Sequence, residues 1–286
     1  MYGLSKITIF VTMSTFDLSV IISTYNQPKW LEKVLWGYEF QTEINFEIII
    51  ADDGSTIETK KVVDNFIAST SMTIMHIWQE DNGFQKTKIL NKAIKKASSS
   101  YLIFTDGDCI PRHDFVETHL RLKKDNCFLS GGYFKLPSIT SNTITRANIE
   151  HQECFKLKWL LENGVKKSFK TNKITAKGFK TWFLNAFTPT KATFDGMNVS
   201  GWKQDILDVN GFDERMQYGG EDRELGKRLM NKGITFKQVR YSAICLHLYH
   251  ERPYKNEEAL QFNSSIRKLT KKNKLVYTDF GINQSN

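Results

Sequence analysis

The chain has 286 residues, of which 40% are hydrophobic and 25% are charged, and its formal net charge is +9. This length and composition predict an ordinary globular protein, built as one large domain or as two closely joined halves. They exclude an integral helical membrane protein, because no apolar run reaches the roughly 20 residues that a membrane-spanning helix requires.

The first 16 residues are interpreted as an N-terminal extension. The apolar stretch at 7–13 lacks the small-residue cleavage site of a secretory signal, and Met13 is an alternative start because the first strand pattern begins at Leu18. The four cysteines show no CxxC spacing, which favours reduced thiols in a cytoplasmic protein over disulfides or structural zinc. They are Cys109, Cys127, Cys154 and Cys245.

Strand patterns alternate with helix patterns over the first 108 residues. Short apolar runs predict strands at 18–22, 47–51, 73–78 and 101–105. Amphipathic spacing predicts helices at 28–40, 57–68 and 85–97, the first of them with Pro28 in its first turn. This βαβαβαβ order predicts an α/β fold with a mostly parallel sheet covered by helices on both faces.

Polar turns follow three of the predicted strands, at 23–26, 52–55 and 106–108. Ligands of open α/β sheets bind at the carboxyl ends of the strands, so the three turns are expected to converge on one site. The last turn, Asp106-Gly107-Asp108, is a DxD pattern. Such a pattern is common in solvated turns, but at a strand end it suits a hard cation, Mg²⁺ or Mn²⁺, that holds a nucleoside diphosphate.

A second cluster of polar residues lies at 218–225, where Tyr218 and two glycines precede Glu221 and Asp222. A helix is predicted at 221–232, and Gly233 is predicted to end it. The two carboxylates are either favourable charges at a helix N-terminus or part of a site. The glycines allow a ligand to approach the backbone closely, and Tyr218 offers an aromatic surface to a sugar ring.

Basic residues are concentrated at 156–180 and 267–274, and the first stretch is interleaved with aromatic residues. An anionic membrane surface, an anionic acceptor and a simple solvated face are the open interpretations. Nucleic acid is not favoured, because no nucleic-acid-binding motif is present and the DxD pattern would be left unexplained.

Several ordered segments resemble a known family. LSVIISTYNQP, EIIIADDGS, DNGFQKTKILNKAI and YLIFTDGDCIP are similar to the nucleotide-sugar half of family 2 glycosyltransferases, which have the GT-A (Rossmann-like) fold. GMNVSGWKQDILDVNGFDERMQYGGEDRELGKRL resembles the C-terminal acceptor half of β-1,4-galactosyltransferases and bacterial chondroitin-type polymerases. The resemblance implies a nucleotide-sugar-binding half at 17–134, an acceptor-binding and catalytic half at 135–255, and a basic C-terminal tail at 256–286.

The resemblance also implies roles for individual residues. The UDP-sugar would contact Ser23, Thr24, Tyr25, Asn26, Asp52, Asp53, Phe84, Lys86, Lys88, Asp106, Gly107 and Asn198. Either Lys86 or Lys88 would lie near the diphosphate. Asp222 would be the catalytic base, and the acceptor would contact Glu221, Tyr218 and Gly220.

The metal ligands implied by the resemblance are Asp108, Asp106 and a downstream histidine. Alignment of Lys255-Asn256-Glu257 with the family favours His250, and His247 stays open. Side chains alternate along a strand, so both histidines could face the site only if the chain bends between them.

The resemblance implies an inverting, Mn²⁺- or Mg²⁺-dependent transferase. It would move a hexose or N-acetylhexosamine, with galactose or N-acetylgalactosamine favoured, from UDP to a glycan or lipid-linked oligosaccharide in cell-surface polysaccharide, capsule or lipopolysaccharide synthesis. The expected location is cytoplasmic, with peripheral contact to an anionic membrane. The alternatives are a nucleotidyltransferase, although 23–29 is not a glycine-rich phosphate loop, and a non-catalytic sugar-nucleotide-binding protein.

Overall fold

The computed structural model describes residues 15–251 and 256–284. Its strands are β1 (Leu18–Thr24), β2 (Phe46–Asp52), β3 (Thr73–Trp78), β4 (Tyr101–Asp106), β5 (Cys109–Pro111), β6 (Cys127–Ser130), β7 (Gly132–Lys135), β8 (Asn198–Trp202), β9 (Thr235–Gln238) and β10 (Ile244–His247). The predicted N-terminal extension lies outside the described residues except for its last two positions, as does Lys255.

The helices are α1 (Pro28–Glu39), α2 (Ile57–Ser69), α3 (Lys86–Lys96), α4 (Phe115–Leu122), α5 (Ser138–Thr143), α6 (Arg146–Glu150), α7 (Leu157–Glu162), α8 (Asn172–Thr175), α9 (Gly178–Ala186), α10 (Lys203–Asp208), α11 (Glu221–Lys232) and α12 (Glu257–Lys272). Short 3₁₀ turns lie at Glu153–Phe155 and Phe169–Thr171. In the described part of the chain, no helix has the length and apolar character needed to cross a bilayer.

The predicted order of strands and helices over the first 108 residues is confirmed, and only the ends of elements differ. The main sheet has seven strands in the order β3-β2-β1-β4-β8-β6-β9. β1, β2, β3 and β4 are parallel, whereas β8 is antiparallel to both of its neighbours. β8 carries no apolar run in the sequence, yet it joins the two predicted halves into one sheet.

Helices cover both faces of this sheet, which explains the continuous apolar strands. Val20 and Ile22 of β1 belong to the core that packs against α1 and α2, while Ile21 between them belongs to the core that packs against α3. All three side chains are fully buried. Each such side chain contributes about 1.5–3 kcal/mol when it leaves water.

A smaller sheet in the order β5-β10-β7 lies beside the main one. Its register places His247, the last residue of β10, opposite Cys109, the first residue of β5. Just beyond that pair, the Leu248 N–H donates to the carbonyl oxygen of Asp108 at 2.8 Å. The second half of the DxD pattern is therefore held against the residues that follow β10.

Helix α11 is fixed by a buried ion pair between Glu224 and Arg228, whose side chains are each 1% exposed. The Arg228 guanidinium also donates to the carbonyl oxygens of Val209 and Gly211. Thr270 of α12 donates its hydroxyl to Glu224 at 2.8 Å. The predicted basic tail therefore contains a helix that packs against α11.

We expect Arg228→Ala to lower the free energy of unfolding by about 3 kcal/mol, because it leaves Glu224 buried without its cation. Denaturant unfolding of the purified variant measures this loss. The control is Arg121→Ala, which removes the same side chain from an exposed position of α4. Equal stability of both variants would contradict an anchoring role for Arg228.

Candidate active site

A cavity of about 680 Å³ lies at the carboxyl ends of β1 and β4 and at the start of α11. Strand register brings the turns together there, since Ser23 pairs with Asp106, and Thr24 pairs with Asp52. The predicted site residues that line the cavity are Ser23, Thr24, Tyr25, Asp53, Phe84, Lys86, Asp106, Gly107, Asp108, Tyr218, Gly220, Glu221, Asp222, His247 and His250. The volume is typical of a small-molecule site.

Two of the predicted turn residues serve the turn itself. Asp52 is 1% exposed, and its carboxylate accepts from the Ser55 N–H and faces the His76 ring. Asn26 has a positive φ of 48°, and its amide oxygen accepts from the Thr56 N–H. Neither side chain lines the cavity, because these bonds direct Asp52 toward its own turn and His76, and Asn26 toward the turn after β2.

Two other predicted contacts are placed elsewhere. Lys86 lines the cavity and Lys88 does not, since residues two apart on a helix point to nearly opposite sides. Asn198 is completely buried in the core of β8, where its amide donates to the carbonyl oxygen of Gly132 and faces the ring of His119. As placed, Asn198 offers no polar atom to a ligand in the cavity.

Asp106 is held by two donors. One of its carboxylate oxygens accepts from the Ser23 hydroxyl at 2.7 Å and from the Lys86 amine at 2.6 Å. Burial alone would raise the pKa of Asp106, but the Lys86 cation and these hydrogen bonds lower it. Burial opposes the charge of Lys86 as well, yet Asp106 and Glu221 raise the pKa of that lysine. Both groups are therefore charged, and Lys86 connects the DxD turn with the start of α11.

Asp108 faces both histidines. Its Oδ2 lies 3.0 Å from Nε2 of His250 and 3.9 Å from Nε2 of His247, and the two rings stack with centroids 5.3 Å apart. β10 ends at His247, so the alternation of a regular strand does not apply to the residues that follow it. Both predicted histidines face Asp108, and either or both remain candidate metal ligands.

The hydrogen bonds of the histidines test whether a cation fits here. Nδ1 of His247 lies 2.7 Å from the Leu248 carbonyl oxygen, and Nδ1 of His250 lies 2.8 Å from that of Glu251. A carbonyl only accepts, so each Nδ1 carries a proton, and in the neutral form of each ring the Nε2 lone pair points toward the Asp108 carboxylate. Three acceptor groups that face one another suit a metal ion, and a backbone carbonyl is a usual partner of the other nitrogen of a ligating histidine.

Cys109 is also near this group, with its Sγ 3.4 Å from Oδ1 of Asp108. Its hydrogen bond with Cys245 and its burial raise the pKa of the Cys109 thiol well above its usual range. A neutral thiol is a poor ligand for a hard cation, so oxygen and imidazole donors define the site.

Thr24 and Asp53 form a further part of the cavity wall. The Thr24 hydroxyl oxygen is buried and has no hydrogen-bond partner among the described residues. Burial raises the pKa of Asp53 to about 6, although Gln79 and the Gln85 N–H donate to its two oxygens. This wall thus offers a ligand one hydroxyl without a partner and one partly desolvated carboxyl group.

Glu221 and Asp222 begin α11 after two glycines in the left-handed region, with φ of 116° at Gly219 and 91° at Gly220. A side chain at Gly219 would come within 2.3 Å of Leu260, so α12 packs directly on this turn. The Gly219 N–H donates to Glu221 at 2.9 Å. Only glycine combines this conformation with this close packing.

Both carboxyl groups of this pair have a raised pKa. Burial raises the pKa of Glu221 and of Asp222, and the charge of Asp222 raises the pKa of Glu221 further. The Gly196 N–H, at 3.4 Å from Asp222 Oδ2, and the Lys86 cation oppose the rise at Asp222. A carboxylate with a raised pKa is a stronger proton acceptor, as a general base requires.

Sequence reasoning missed three charged residues that line the cavity, Asp195, Arg223 and Arg267. Burial and the nearby charges of Asp222 and Asp106 raise the pKa of Asp195 to about 6. Asp195 directly precedes the segment that carried the family resemblance, which begins at Gly196. Arg267 belongs to the basic tail, whose charge run indicated nothing about the cavity.

Comparisons with known proteins identify two family models that match the chain. The family model described as glycosyl transferase family 2 matches residues 19–181, and the model described as N-terminal domain of galactosyltransferase matches residues 186–251. Chondroitin synthase of Escherichia coli is 27% identical over 253 residues, which are 82% of this chain and 35% of that protein. Hyaluronan synthase of Pasteurella multocida is also 27% identical, over 82% of this chain and 24% of its own length. The chain thus spans about a third or less of these relatives.

Solved structures establish the fold. A mannosyltransferase of Pyrobaculum calidifontis, solved with GDP-Man and Mn²⁺, superposes with a TM-score of 0.57 at 17% identity, over 83% of this chain and 58% of its own. TarS 1–349 of S. aureus, solved with UDP-GlcNAc, gives 0.57 at 16% identity, over 84% and 60%. The shared architecture is the GT-A fold, as the sequence predicted.

Proposed function

The chain belongs to glycosyl transferase family 2, and we propose that it transfers a sugar from UDP to a glycan acceptor with inversion at the anomeric carbon. A hexose or N-acetylhexosamine is proposed, with galactose or N-acetylgalactosamine favoured by the match of 186–251 to the galactosyltransferase model. The observation that carries the proposal is the arrangement of one cavity, in which Lys86 stands between the DxD turn and the Glu221-Asp222 pair.

On the donor side, Asp108, His247 and His250 would hold Mn²⁺ or Mg²⁺. When bound, such an ion neutralises the diphosphate as it departs. Lys86 supplies a second positive charge at the same place, and Asp106 orients its amine at 2.6 Å. The Thr24 hydroxyl and Asp53 then lie on the wall available to the nucleoside.

On the acceptor side, Asp222 would take the proton of the attacking hydroxyl. The acceptor oxygen forms a bond to the anomeric carbon as the bond from that carbon to the UDP oxygen breaks, and UDP leaves from the opposite face. Glu221 is held by the Gly219 N–H, and Tyr218 packs edge-on against Phe84 with ring centroids 5.8 Å apart. We assign Glu221, Tyr218 and Gly220 to acceptor binding.

A donor screen tests this function. UDP release from UDP-galactose, UDP-N-acetylgalactosamine and their glucose epimers is measured with a panel of oligosaccharide acceptors, and the product linkage is determined by NMR. A β-linked product from an α-linked donor supports inversion, whereas an α-linked product contradicts it. Formation of a UDP-sugar from UTP and a sugar phosphate would favour a nucleotidyltransferase. Tight UDP-sugar binding without any turnover would favour a binding protein.

We further propose that α9 and the segment before it contact an anionic membrane or a lipid-linked acceptor, at a site of cell-surface polysaccharide synthesis. None of the nine residues of α9 is buried. Phe179, Trp182 and Phe187 are 76%, 60% and 67% exposed, and neighbouring rings pack on one another along the helix. Phe155, by contrast, is 7% exposed and belongs to the core. The exposed aromatic surface therefore includes fewer residues than the basic and aromatic stretch of the sequence indicated.

Exposed lysines precede the exposed aromatic residues in the sequence or alternate with them, and they are Lys166, Lys167, Lys170, Lys177 and Lys180. Exposed aromatic rings beside lysines are typical of segments that lie in a membrane interface. Each basic residue near an anionic surface contributes about 1 kcal/mol.

We expect the protein to bind vesicles that contain phosphatidylglycerol, with Trp182 fluorescence shifting to shorter wavelength, and to dissociate as salt screens the charges. The triple change Lys166→Gln, Lys167→Gln and Lys170→Gln should weaken binding at least tenfold. The control triple, Lys95→Gln, Lys96→Gln and Lys237→Gln, removes the same charge from exposed positions elsewhere. Equal loss in both triples, or equal binding to neutral vesicles, would argue for a solvated face.

A further inference from the structure

A second cavity, of about 450 Å³, adjoins the active-site cavity. The two share three wall residues, Asp195, Arg223 and Arg267. The second cavity continues along α11 and α12 and reaches the ends of β6 and β9, away from the DxD turn. The catalytic steps proposed above make no use of it.

The wall of this cavity is strongly cationic. It carries six basic side chains and one carboxyl group, that of Asp195. The basic residues are Lys191, Arg223, Lys227, Arg240, Arg267 and Lys271. Two of them lie one turn apart on α11 and two lie one turn apart on α12, so each helix presents a pair of positive charges on the same face.

Among the described residues, one carboxyl group, that of Asp195, faces these six basic side chains in the wall. None of the ion pairs among residues 15–251 and 256–284 involves any of the six side chains. One guanidinium N–H of Arg240, at Nε, is buried and has no acceptor in the same part of the chain. Like charges that lie close together repel, and this repulsion is relieved when an anion enters the cavity. A buried donor without an acceptor is costly as well.

Asp195 lies in the walls of both cavities, between the second cavity and the proposed catalytic residues. Asp222 and Asp106 act on its carboxyl group from the active-site side, and Arg223 and Arg240 act on it from the cationic side. A molecule whose hydroxyl faces Asp222 and whose chain continues along α11 would therefore pass directly into the cationic cavity. The donor diphosphate needs no further cations there, because Lys86 and the Asp108 cluster serve it.

We propose that this second cavity binds an anionic group of the acceptor, a carboxylate or a phosphate, on the part of the glycan next to the sugar that receives the transfer. The proposal rests on the glycosyl transfer proposed above and specifies its substrate class as an anionic glycan. Arginine and lysine together suit both groups, since arginine binds carboxylate and phosphate in a bidentate manner.

Binding of defined oligosaccharides tests the proposal, with UDP present at saturation so that the donor site is filled. The probes are an oligosaccharide that contains a uronate, the same oligosaccharide after carboxyl reduction, and one of similar length that contains a phosphodiester. We expect an anionic probe to bind at least tenfold more tightly than the reduced probe, with an affinity that falls as salt rises. The affinities of the uronate and phosphodiester probes show which anion the cavity prefers.

Matched variants test whether the anionic probe binds in the second cavity. Lys227→Gln combined with Lys271→Gln removes two charges that line only the second cavity, and should weaken binding of the preferred anionic probe about tenfold while UDP affinity stays unchanged. The control pair, Lys237→Gln with Lys268→Gln, removes two exposed charges from β9 and α12 outside the wall. Equal binding of the anionic and reduced probes, or equal loss in both pairs, would overturn the proposal.

UDP release from UDP-sugars, measured on the same preparations, separates this proposal from the one on which it rests. UDP release without any preference for an anionic probe would overturn the anionic site and leave glycosyl transfer intact. Charge-selective binding without UDP release from any donor would overturn glycosyl transfer instead.

Discussion

Asp222→Asn should reduce turnover by roughly 10²- to 10⁴-fold, the usual contribution of a positioned general base. The amide keeps the size of the side chain and its place at the start of α11, but it cannot accept the proton of the acceptor hydroxyl. Affinity for the UDP-sugar should stay within a few fold of wild type. Steady-state kinetics at saturating acceptor, together with calorimetry of UDP binding, measure the two effects separately.

The pH dependence provides a second measure of the same residue. Because burial raises the pKa of Asp222, the loss of turnover at acidic pH should set in above about pH 4, where an ordinary aspartate would still be ionised. The sign follows from the role, since the protonated carboxyl cannot act as a base and the rate falls as pH falls through the raised pKa.

Glu221→Gln is the matched comparison, because Glu221 is the adjacent carboxyl group and also has a raised pKa. We expect this change to act at least partly on the KM for the acceptor. Near-normal turnover of Asp222→Asn with saturating acceptor would argue against Asp222 as the base, and Glu221 would become the next candidate.

Asp108→Ala should abolish both activity and stabilisation by Mn²⁺ while the protein stays folded. Asp108 is the oxygen donor that both histidines face, at 3.0 Å and 3.9 Å, so its loss leaves two imidazoles without a charged ligand. A metal present at about 100 times its Kd stabilises a folded protein by about 2.7 kcal/mol. Thermal unfolding of the metal-free protein with and without Mn²⁺ therefore gives a readout that does not depend on activity.

The control for this change is Asp125→Ala, which removes an exposed carboxylate and should leave the response to Mn²⁺ unaltered. EDTA should abolish transfer by the wild-type protein, and Mn²⁺ or Mg²⁺ should restore it. His247→Ala and His250→Ala should each weaken stabilisation by Mn²⁺. Full turnover in EDTA, or an unchanged metal response in Asp108→Ala, would contradict a metal site at these residues.

Much of the nucleotide-sugar-binding half could be predicted from the sequence, because its strands and helices are indicated by patterns of neighbouring residues. Apolar runs such as that of β1 mark strands buried on both faces, and helix periodicity marks α1, α2 and α3 within a few residues of their ends. Convergence of the turns after β1, β2 and β4 then follows from parallel pairing alone. The family resemblance added the roles of individual residues, which no periodicity contains.

The tertiary structure decided which of these residues reach the cavity. Helix phase directs Lys86 rather than Lys88 into the cavity, and complete burial at the first residue of β8 keeps Asn198 out of it. Because β10 ends at His247, both His247 and His250 reach Asp108, where a regular strand would have separated them. These outcomes depend on the register between segments far apart in the chain, and a local pattern contains no such register.

The sequence by itself determined the α/β class, the DxD turn and the carboxylate pair at the start of α11, since each is written in neighbouring residues. Only the tertiary structure decided that Arg267 of the basic tail reaches the active site and that basic side chains of α11 and α12 form one cationic wall. The charges of these residues were visible in the sequence. The direction in which their side chains point depends on how α12 packs against the glycine turn before α11. Charge is a property of composition, whereas a binding surface requires charges to be brought to one place by packing.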